Sequence, residues 1–286
     1  MKVFCSRLAH GTRSTGCAVF LLSLAFLVAQ HNAQAANTLT DGNSIITFDL
    51  SSGASSAGMT SWLVNGINQM QQQWFWFRVG NSGAESNLAA LGPASISQPV
   101  GVTRELTVSY DRPGQFGVSI KYDLTGSSRP GLTEAITIAN HTASPLDFHF
   151  FQYSHVTLGG SSANQSVSFG SDLSGITSVS QTGPGGQAFQ SAVTVSANRA
   201  EAGLFNSTLT SLNDGNPTTL NNNASAGPGN VTWAMEWDFT AANNNIINPG
   251  SSKQISTLSQ VPEPSVFALG ALGMAGFLQF RRKRAR

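Results

Sequence analysis

Residues 231–240 alternate without a break. Val231, Trp233, Met235, Trp237 and Phe239 fall on one side of an extended chain, and Thr232, Ala234, Glu236 and Asp238 on the other. A period of two marks a β-strand, because successive side chains point to opposite faces. Short runs of this kind, rich in Val, Ile, Thr and aromatics, recur from residue 44 to residue 258 with turn residues between them. No segment shows the 3.6-residue period of an amphipathic helix. Strands are predicted over residues 44–50, 58–64, 73–79, 102–110, 115–125, 132–140, 146–158, 165–169, 176–181, 187–197, 202–210, 231–240 and 254–258. In Val64-Asn65-Gly66-Ile67 the Asn-Gly pair accepts positive φ and closes a tight turn. In Asp111-Arg112-Pro113-Gly114 proline presets φ and glycine supplies the left-handed position. Residues 213–229, dense in Asn, Gly, Pro and Ser, read as a long surface loop. Many short strands with turns between them predict an all-β fold, an antiparallel β-sandwich, with a jelly roll fitting equally well. A β-helix would need a fixed repeat, and none is present.

Charge narrows the function. Residues 36–260 hold seven basic and 13 acidic side chains, and their only lysines are Lys121 and Lys253. A nucleic-acid surface needs the opposite sign, so nucleic acid is excluded as a partner. Both cysteines, Cys5 and Cys17, precede this segment, leaving it without disulfide, thiolate nucleophile or Cys-ligated metal.

The two ends read as addresses. Residues 1–35 have the form of a secretory signal peptide: Lys2, Arg7 and Arg13, then an apolar stretch over 17–29, then Ala33-Gln34-Ala35 before the cleavage point. At the other end Val261-Pro262-Glu263-Pro264 precedes an apolar transmembrane helix expected over residues 265–280. The chain closes on a basic tail, residues 281–286, carrying Arg281, Arg282, Lys283, Arg284 and Arg286. The apolar run, the fifteen residues 266–280, rises about 22 Å as helix against a hydrocarbon core of about 30 Å, so the anchor is short. The basic tail would be retained on the cytoplasmic side, leaving everything upstream outside the inner membrane.

This tripartite end, residues 261–286, resembles the PEP-CTERM family of sorting signals. Tails of this kind are also called ice-binding protein C-terminal domains, a label that implies no ice binding here. The resemblance implies a Gram-negative bacterium that makes exopolysaccharide, and a membrane-embedded exosortase that recognises Val261, Pro262, Glu263 and Pro264 and removes the tail. Signal peptidase and exosortase are then the partners during sorting. The inner membrane is held transiently through the C-terminal helix, and exopolysaccharide is a further candidate partner. The resemblance says nothing about what residues 36–260 do.

Three features of that body bear on chemistry. Asp147, His149, Phe151, Tyr153 and His155 share one face of a predicted strand, and Asp147 with His149 could ligate a metal or form half an acid–base pair. His149 and His155 stand about 20 Å apart on an extended strand, too far to share an ion. His141 is the only other histidine in the body. Glu236 and Asp238 lie about 6–7 Å apart on one face, a spacing compatible with a glycosidase carboxylate pair. The simpler reading turns their apolar partners inward and this acidic face out to solvent. Trp74-Phe75-Trp76-Phe77 makes both faces of one strand aromatic. Trp74, Trp76 and Tyr153 could stack on sugar rings if displayed, although large aromatics mostly fill interiors. No nucleophile elbow, phosphate loop or His-Glu-x-x-His occurs. No catalytic residue, metal site or cofactor is therefore assigned.

The expected protein is a non-enzymatic extracytoplasmic one, sorted to the cell surface or an exopolysaccharide matrix. A carbohydrate-binding module and a secreted polysaccharide-acting enzyme are the alternatives. Mass spectrometry of the protein from its producing cell is expected to show a species starting at Ala36 and ending near residues 262–264. A full-length tail in the inner membrane would instead show that the motif is unused.

Overall fold

The computed structural model describes residues 37–51, 57–127 and 129–261. The leader expected at 1–35, Pro262, Glu263, Pro264, the apolar helix at 265–280 and the basic tail lie outside the described residues. No helix among the described residues is long and apolar enough to cross a membrane.

The strands run in chain order as β1 (Asn37–Asp41), β2 (Ser44–Asp49), β3 (Gly58–Val64), β4 (Ile67–Val79), β5 (Ser86–Asn87), β6 (Ser95–Ser97), β7 (Glu105–Arg112), β8 (Phe116–Thr125) and β9 (Gly131–Asn140). They continue as β10 (Phe148–Val156), β11 (Gln165–Asp172), β12 (Gly175–Thr182), β13 (Ala188–Ala197), β14 (Arg199–Leu204), β15 (Ser225–Gly229), β16 (Val231–Phe239) and β17 (Ser252–Gln260). One short α-helix, α1 (Ser207–Ser211), and two 3-10 turns, at Leu88–Leu91 and Leu158–Gly160, interrupt the strands among the described residues. All pairings are antiparallel and form two sheets. One follows the order β1-β2-β3-β4-β10-β16-β14, with β5 beside β4. The other follows β15-β11-β12-β13-β17-β9-β8-β7-β6. This is the expected antiparallel β-sandwich.

The core lies between the sheets. The first sheet contributes Phe75, Phe77, Phe148, Phe150, Trp233 and Trp237; the second contributes Phe116, Val118, Ile120, Ile136 and Phe189. Phe116 meets Phe77 and Phe148 edge-on, at 5.2 and 5.0 Å between ring centroids. Edge-to-face contact suits the ring quadrupoles and adds to the burial of apolar area. The last described residue, Val261, is also part of this core, and its N–H bonds the Pro130 carbonyl at 3.0 Å.

Both foreseen turns form. Asn65 and Gly66 have φ of +52° and +77°, joining Val64 to its partner Ile67. Gly114, at φ +70°, closes the β7–β8 hairpin. Three expectations need correction. The fourth strand begins at Ile67 and not at residue 73, because hairpin pairing with β3 carries the glutamine-rich stretch into the sheet despite its weak β-propensity. The strand expected over 202–210 ends at Leu204; Asn206 turns left-handed, at φ +80°, and starts α1. Residues 213–229 are only partly a surface loop. Thr218 and Leu220 are buried, and Ser225–Gly229 forms β15 against β11.

One acid sits wholly inside the sandwich. Glu134 on β9 is fully buried, taking hydrogen bonds from Gln73 Nε2 at 3.1 Å and Thr257 Oγ1 at 2.7 Å. Burial pushes its carboxyl up to about 7, and these two bonds only partly offset that. The folded protein therefore holds a proton that the unfolded chain releases above its ordinary 4.5. The associated stability is complete below that value and is lost as pH rises through about 7. A shift of this size corresponds to about 3 kcal/mol. Glu134→Gln, which keeps both acceptor contacts, is expected to melt higher than the native chain at pH 8 and to flatten its stability between pH 5 and 8. Denaturant titrations at those pH values check this; a parallel pH profile in the variant would contradict a neutral Glu134.

Candidate functional site

The outer face of the first sheet, turned away from the core, is built in rows across β4, β10 and β16. Antiparallel register sets Arg78 opposite His149, and His149 opposite Asp238. In the next row Trp76 faces Phe151, Phe151 faces Glu236, and Glu236 faces Arg199 on β14. Trp74, Tyr153 and Ala234 form the third row. The sequence feature at 147–149 and the carboxylate pair at 236–238 are thus two halves of one cluster.

Leu212 and Leu220 close over this face and pack with Trp74, Trp76, Phe151, Tyr153 and Ala234. Trp74 is 9% exposed, and Trp76 and Tyr153 are 0% exposed. The three rings considered for sugar stacking are therefore interior. Their centroids lie 6.1–6.5 Å apart, and Trp76 donates its indole N–H to Asn213 Oδ1 at 3.3 Å. An open aromatic patch of this size would be costly in water, and residues 212–220 remove it.

The covering segment is pinned by a buried ion pair. Arg78 and Glu85 pair directly, both out of solvent. Arg78 Nη1 also donates to the Thr218 carbonyl at 2.7 Å, and the Thr218 N–H donates to Glu85 at 2.9 Å. The Leu220 N–H donates to Glu236 Oε2 at 2.9 Å. Sequence reading missed Arg78 and Glu85. The only available signal was a lone arginine ending an aromatic strand.

Glu236 is 1% and Asp238 8% exposed, so the acidic face does not point to solvent as expected. The physical reason is that the covering segment and the histidine of β10 take the place of water. His149 Nδ1 stands 2.5 Å from Asp238 Oδ1 and 3.8 Å from Glu236 Oε1, while Nε2 is 3.4 Å from Asp147 Oδ1. Burial alone would lower the imidazole pKa. The hydrogen bond to Asp238, and then the one to Glu236, reverse this and push it up to about 9, against a smaller opposing effect of Arg78. Burial is the largest single effect on Asp238 and would raise it, but the His149 and Glu236 bonds and the His149 and Arg199 charges together outweigh it and hold the carboxyl below its usual range. Glu236 moves the other way: burial and the Asp238 charge raise it, opposed by His149 and the Leu220 amide. Near neutrality His149 is thus a cation bonded to Asp238, beside a second carboxyl with a strengthened hold on its proton.

Arg78, His149, Arg199, Glu236, Asp238 and Asn243 line a cleft of about 320 Å³. His149 Nε2 is buried there without a well-formed hydrogen bond. One donor atom each from His149, Glu236 and Asp238 lies within 4.8 Å of the others. Such a mixed nitrogen and oxygen set suits a divalent transition metal only once the imidazole loses its proton, since ligation needs the neutral ring. His141 joins neither group; it lies 3.3 Å from Asp111, half-exposed. His155 bonds Asn230 Oδ1 at 2.8 Å, away from the cleft.

Residues 260–284 match the PEP-CTERM protein-sorting motif. The chain carries a PEP-CTERM sorting signal. The motif implies an exported, membrane-transiting precursor directed to the cell surface, with an exosortase as its sorting partner. No curated protein matches the chain. Among solved structures, a bacterial glucoamylase complexed with acarbose is similar at TM-score 0.55 and 13% identity, covering 84% of this chain and 33% of that one. The chain thus spans about a third of the length of that enzyme. The Slr1438 protein of Synechocystis sp. PCC 6803 is similar at TM-score 0.53 and 11% identity, over 79% of this chain and 95% of its own. A proposed aldose 1-epimerase of Escherichia coli K12 is similar at TM-score 0.52 and 12% identity, over 79% and 98%. These likenesses show a shared fold.

The pin on the covering segment is testable. Removing one partner of a buried ion pair leaves the other uncompensated, at a cost of about 3–5 kcal/mol. Arg78→Met is expected to destabilise the protein by that order, and adding Glu85→Gln to recover part of the loss. Denaturant midpoints for both variants decide; equal midpoints for the single and double variants would remove the ion pair from this role.

Proposed function

We propose that this is a non-enzymatic carbohydrate-binding protein of the cell surface or exopolysaccharide matrix, delivered there by the exosortase route. Signal peptidase removes the leader, and Val261, Pro262, Glu263 and Pro264 direct processing of the tail. The observation that carries the binding reading is the cleft around His149 and Asp238. It places cationic, anionic and amide groups around a buried imidazole nitrogen with no good partner of its own. Sugar hydroxyls both donate and accept, and suit such a mixed lining. The fold adds support, since its neighbours include a glucoamylase complexed with acarbose and a proposed aldose 1-epimerase. The charged groups are already engaged with one another, which favours a fixed recognition surface over a group free to attack.

One observation favours a second reading, a secreted enzyme acting on a sugar. Glu236 is a carboxyl of raised pKa beside a histidinium, and such neighbours can pass protons to and from a ring oxygen. The test uses the full chain in detergent with neutral mono- and oligosaccharides. Calorimetry is expected to show binding that Asp238→Asn weakens at least about ten-fold, or about 1.4 kcal/mol. Proton NMR of the same mixtures is expected to show neither new reducing ends nor faster anomer exchange. Turnover abolished by Glu236→Gln would transfer the case to the enzymatic reading.

A further inference from the structure

The floor of the cleft has an arrangement that the carbohydrate reading does not use. One nitrogen of His149, Nδ1, is turned to two carboxylates, 2.5 Å from Asp238 Oδ1 and 3.8 Å from Glu236 Oε1. The other, Nε2, is turned to a third, 3.4 Å from Asp147 Oδ1. His149, Glu236 and Asp238 are all buried. With the ring neutral and the two floor carboxylates ionised, the three would gather two negative charges away from water. The nearby arginines do not cancel them by contact. Arg78 is committed to Glu85 and the Thr218 carbonyl, and Arg199 acts on Asp238 through its charge alone. Among the described residues, neither arginine pairs directly with Glu236 or Asp238.

Each group is also held as a metal ligand is held. A metal-binding imidazole uses one nitrogen and presents the other N–H to a carboxylate, which fixes its tautomer and orientation. Asp147 stands in that place behind Nε2; both atoms are buried and neither has a well-formed hydrogen bond. Glu236 is fixed through Oε2 by the Leu220 N–H, which leaves Oε1 toward Nδ1. The backbone of Asp238 is tied on both sides, its N–H to Asn198 Oδ1 at 2.8 Å and its carbonyl to Asn243 Nδ2 at 3.3 Å. Around a first-row ion, with bonds of about 2.0–2.2 Å, neighbouring ligand atoms stand about 3.3 Å apart. The two separations at Nδ1, 2.5 and 3.8 Å, lie on either side of that value. One nitrogen with two carboxylates suits zinc and its first-row neighbours, whereas magnesium and calcium take all-oxygen shells. Three protein ligands leave further positions open toward the cleft, where Asn81, Thr219 and Asn243 add polar groups.

We propose that His149, Glu236 and Asp238 form a site for a divalent first-row transition metal, with His149 Nδ1 as its nitrogen ligand and Asp147 orienting the ring from behind. The site shares the cleft with the carbohydrate reading but does not rest on a glycan. The bound ion takes the place of the protons that otherwise lie among the three groups. Its open positions are then available to water or to adjacent hydroxyls of a sugar.

The experiment titrates zinc chloride alone into the untagged full chain in detergent, by calorimetry at pH 8, with no sugar present. One zinc per chain is expected, with no saturable binding of magnesium or calcium, and zinc should raise the melting temperature. Glu236→Gln and Asp238→Asn should each weaken zinc at least about a hundredfold, and Asp147→Asn about ten-fold. His141→Gln, which removes the half-exposed histidine beside Asp111, should leave zinc affinity unchanged. Should a carboxylate variant fail to fold, nitrogen NMR of the native chain decides, with zinc expected to move the His149 Nδ1 signal. No saturable zinc binding, zinc lost in His141→Gln, calcium bound as tightly as zinc, or zinc held equally by both carboxylate variants overturns the site. In each of those cases the glycan test of the cleft stands by itself, because it contains no metal. Zinc bound as expected by a chain that binds no sugar upholds the metal site and removes the carbohydrate reading.

Discussion

Every residue of β10 and β16 is buried, on the face toward the core and on the face away from it. An ordinary sandwich strand leaves one face to water, and polar residues there need no arrangement. In this protein the covering segment takes that water away, so each polar side chain on the outer face must find a protein partner or go without. His149 finds Asp238, Arg78 finds Glu85, and Glu236 takes the Leu220 amide. The ordered rows of the candidate cleft follow from that requirement. So do the shifted protonation states of His149, Asp238 and Glu236, because a carboxylate or imidazole without water answers to its neighbours first.

Much of the fold was legible because its signals are local. The alternation over 231–240 and the Asn65-Gly66 turn depend on residues that are neighbours in sequence, and both appear as expected. The pairing of β10 with β16 is another matter. His149 and Asp238 are 89 positions apart, and nothing in either segment names the other. Reading each strand alone, the aspartate and glutamate looked like a solvated face, and the histidine like a strand residue among aromatics. The error lay in assuming that a strand with one apolar face has water on the other. Residues 213–229 misled for a related reason. Their composition is that of a turn-rich loop, which residues 213–224 are in backbone, yet Thr218 and Leu220 serve as interior residues. Two buried side chains in a polar stretch leave no periodic trace.

The chain divides its information between two kinds of code. The sorting end is read from three adjoining features in one continuous segment, so sequence alone suffices to recognise it. The body has no such motif, and its chemistry exists only once three strands lie side by side. Sequence-level comparison accordingly finds the tail and, among curated proteins, nothing for the body, while comparison of shape finds a fold shared with solved structures at only 11–13% identity.

The junction between these parts is short. β17 runs to Gln260, and Val261 is still bonded to Pro130 and packed in the core, so the sorting signal starts on the last rung of the sheet with no spacer before Pro262. An enzyme that acts on the Pro-Glu-Pro sequence has to work against the wall of the sandwich itself. The shape and charge of that wall, at the Pro130 end of β9 and β17, would then be part of what such an enzyme encounters, and unfolding of the final strand would present it with a different substrate.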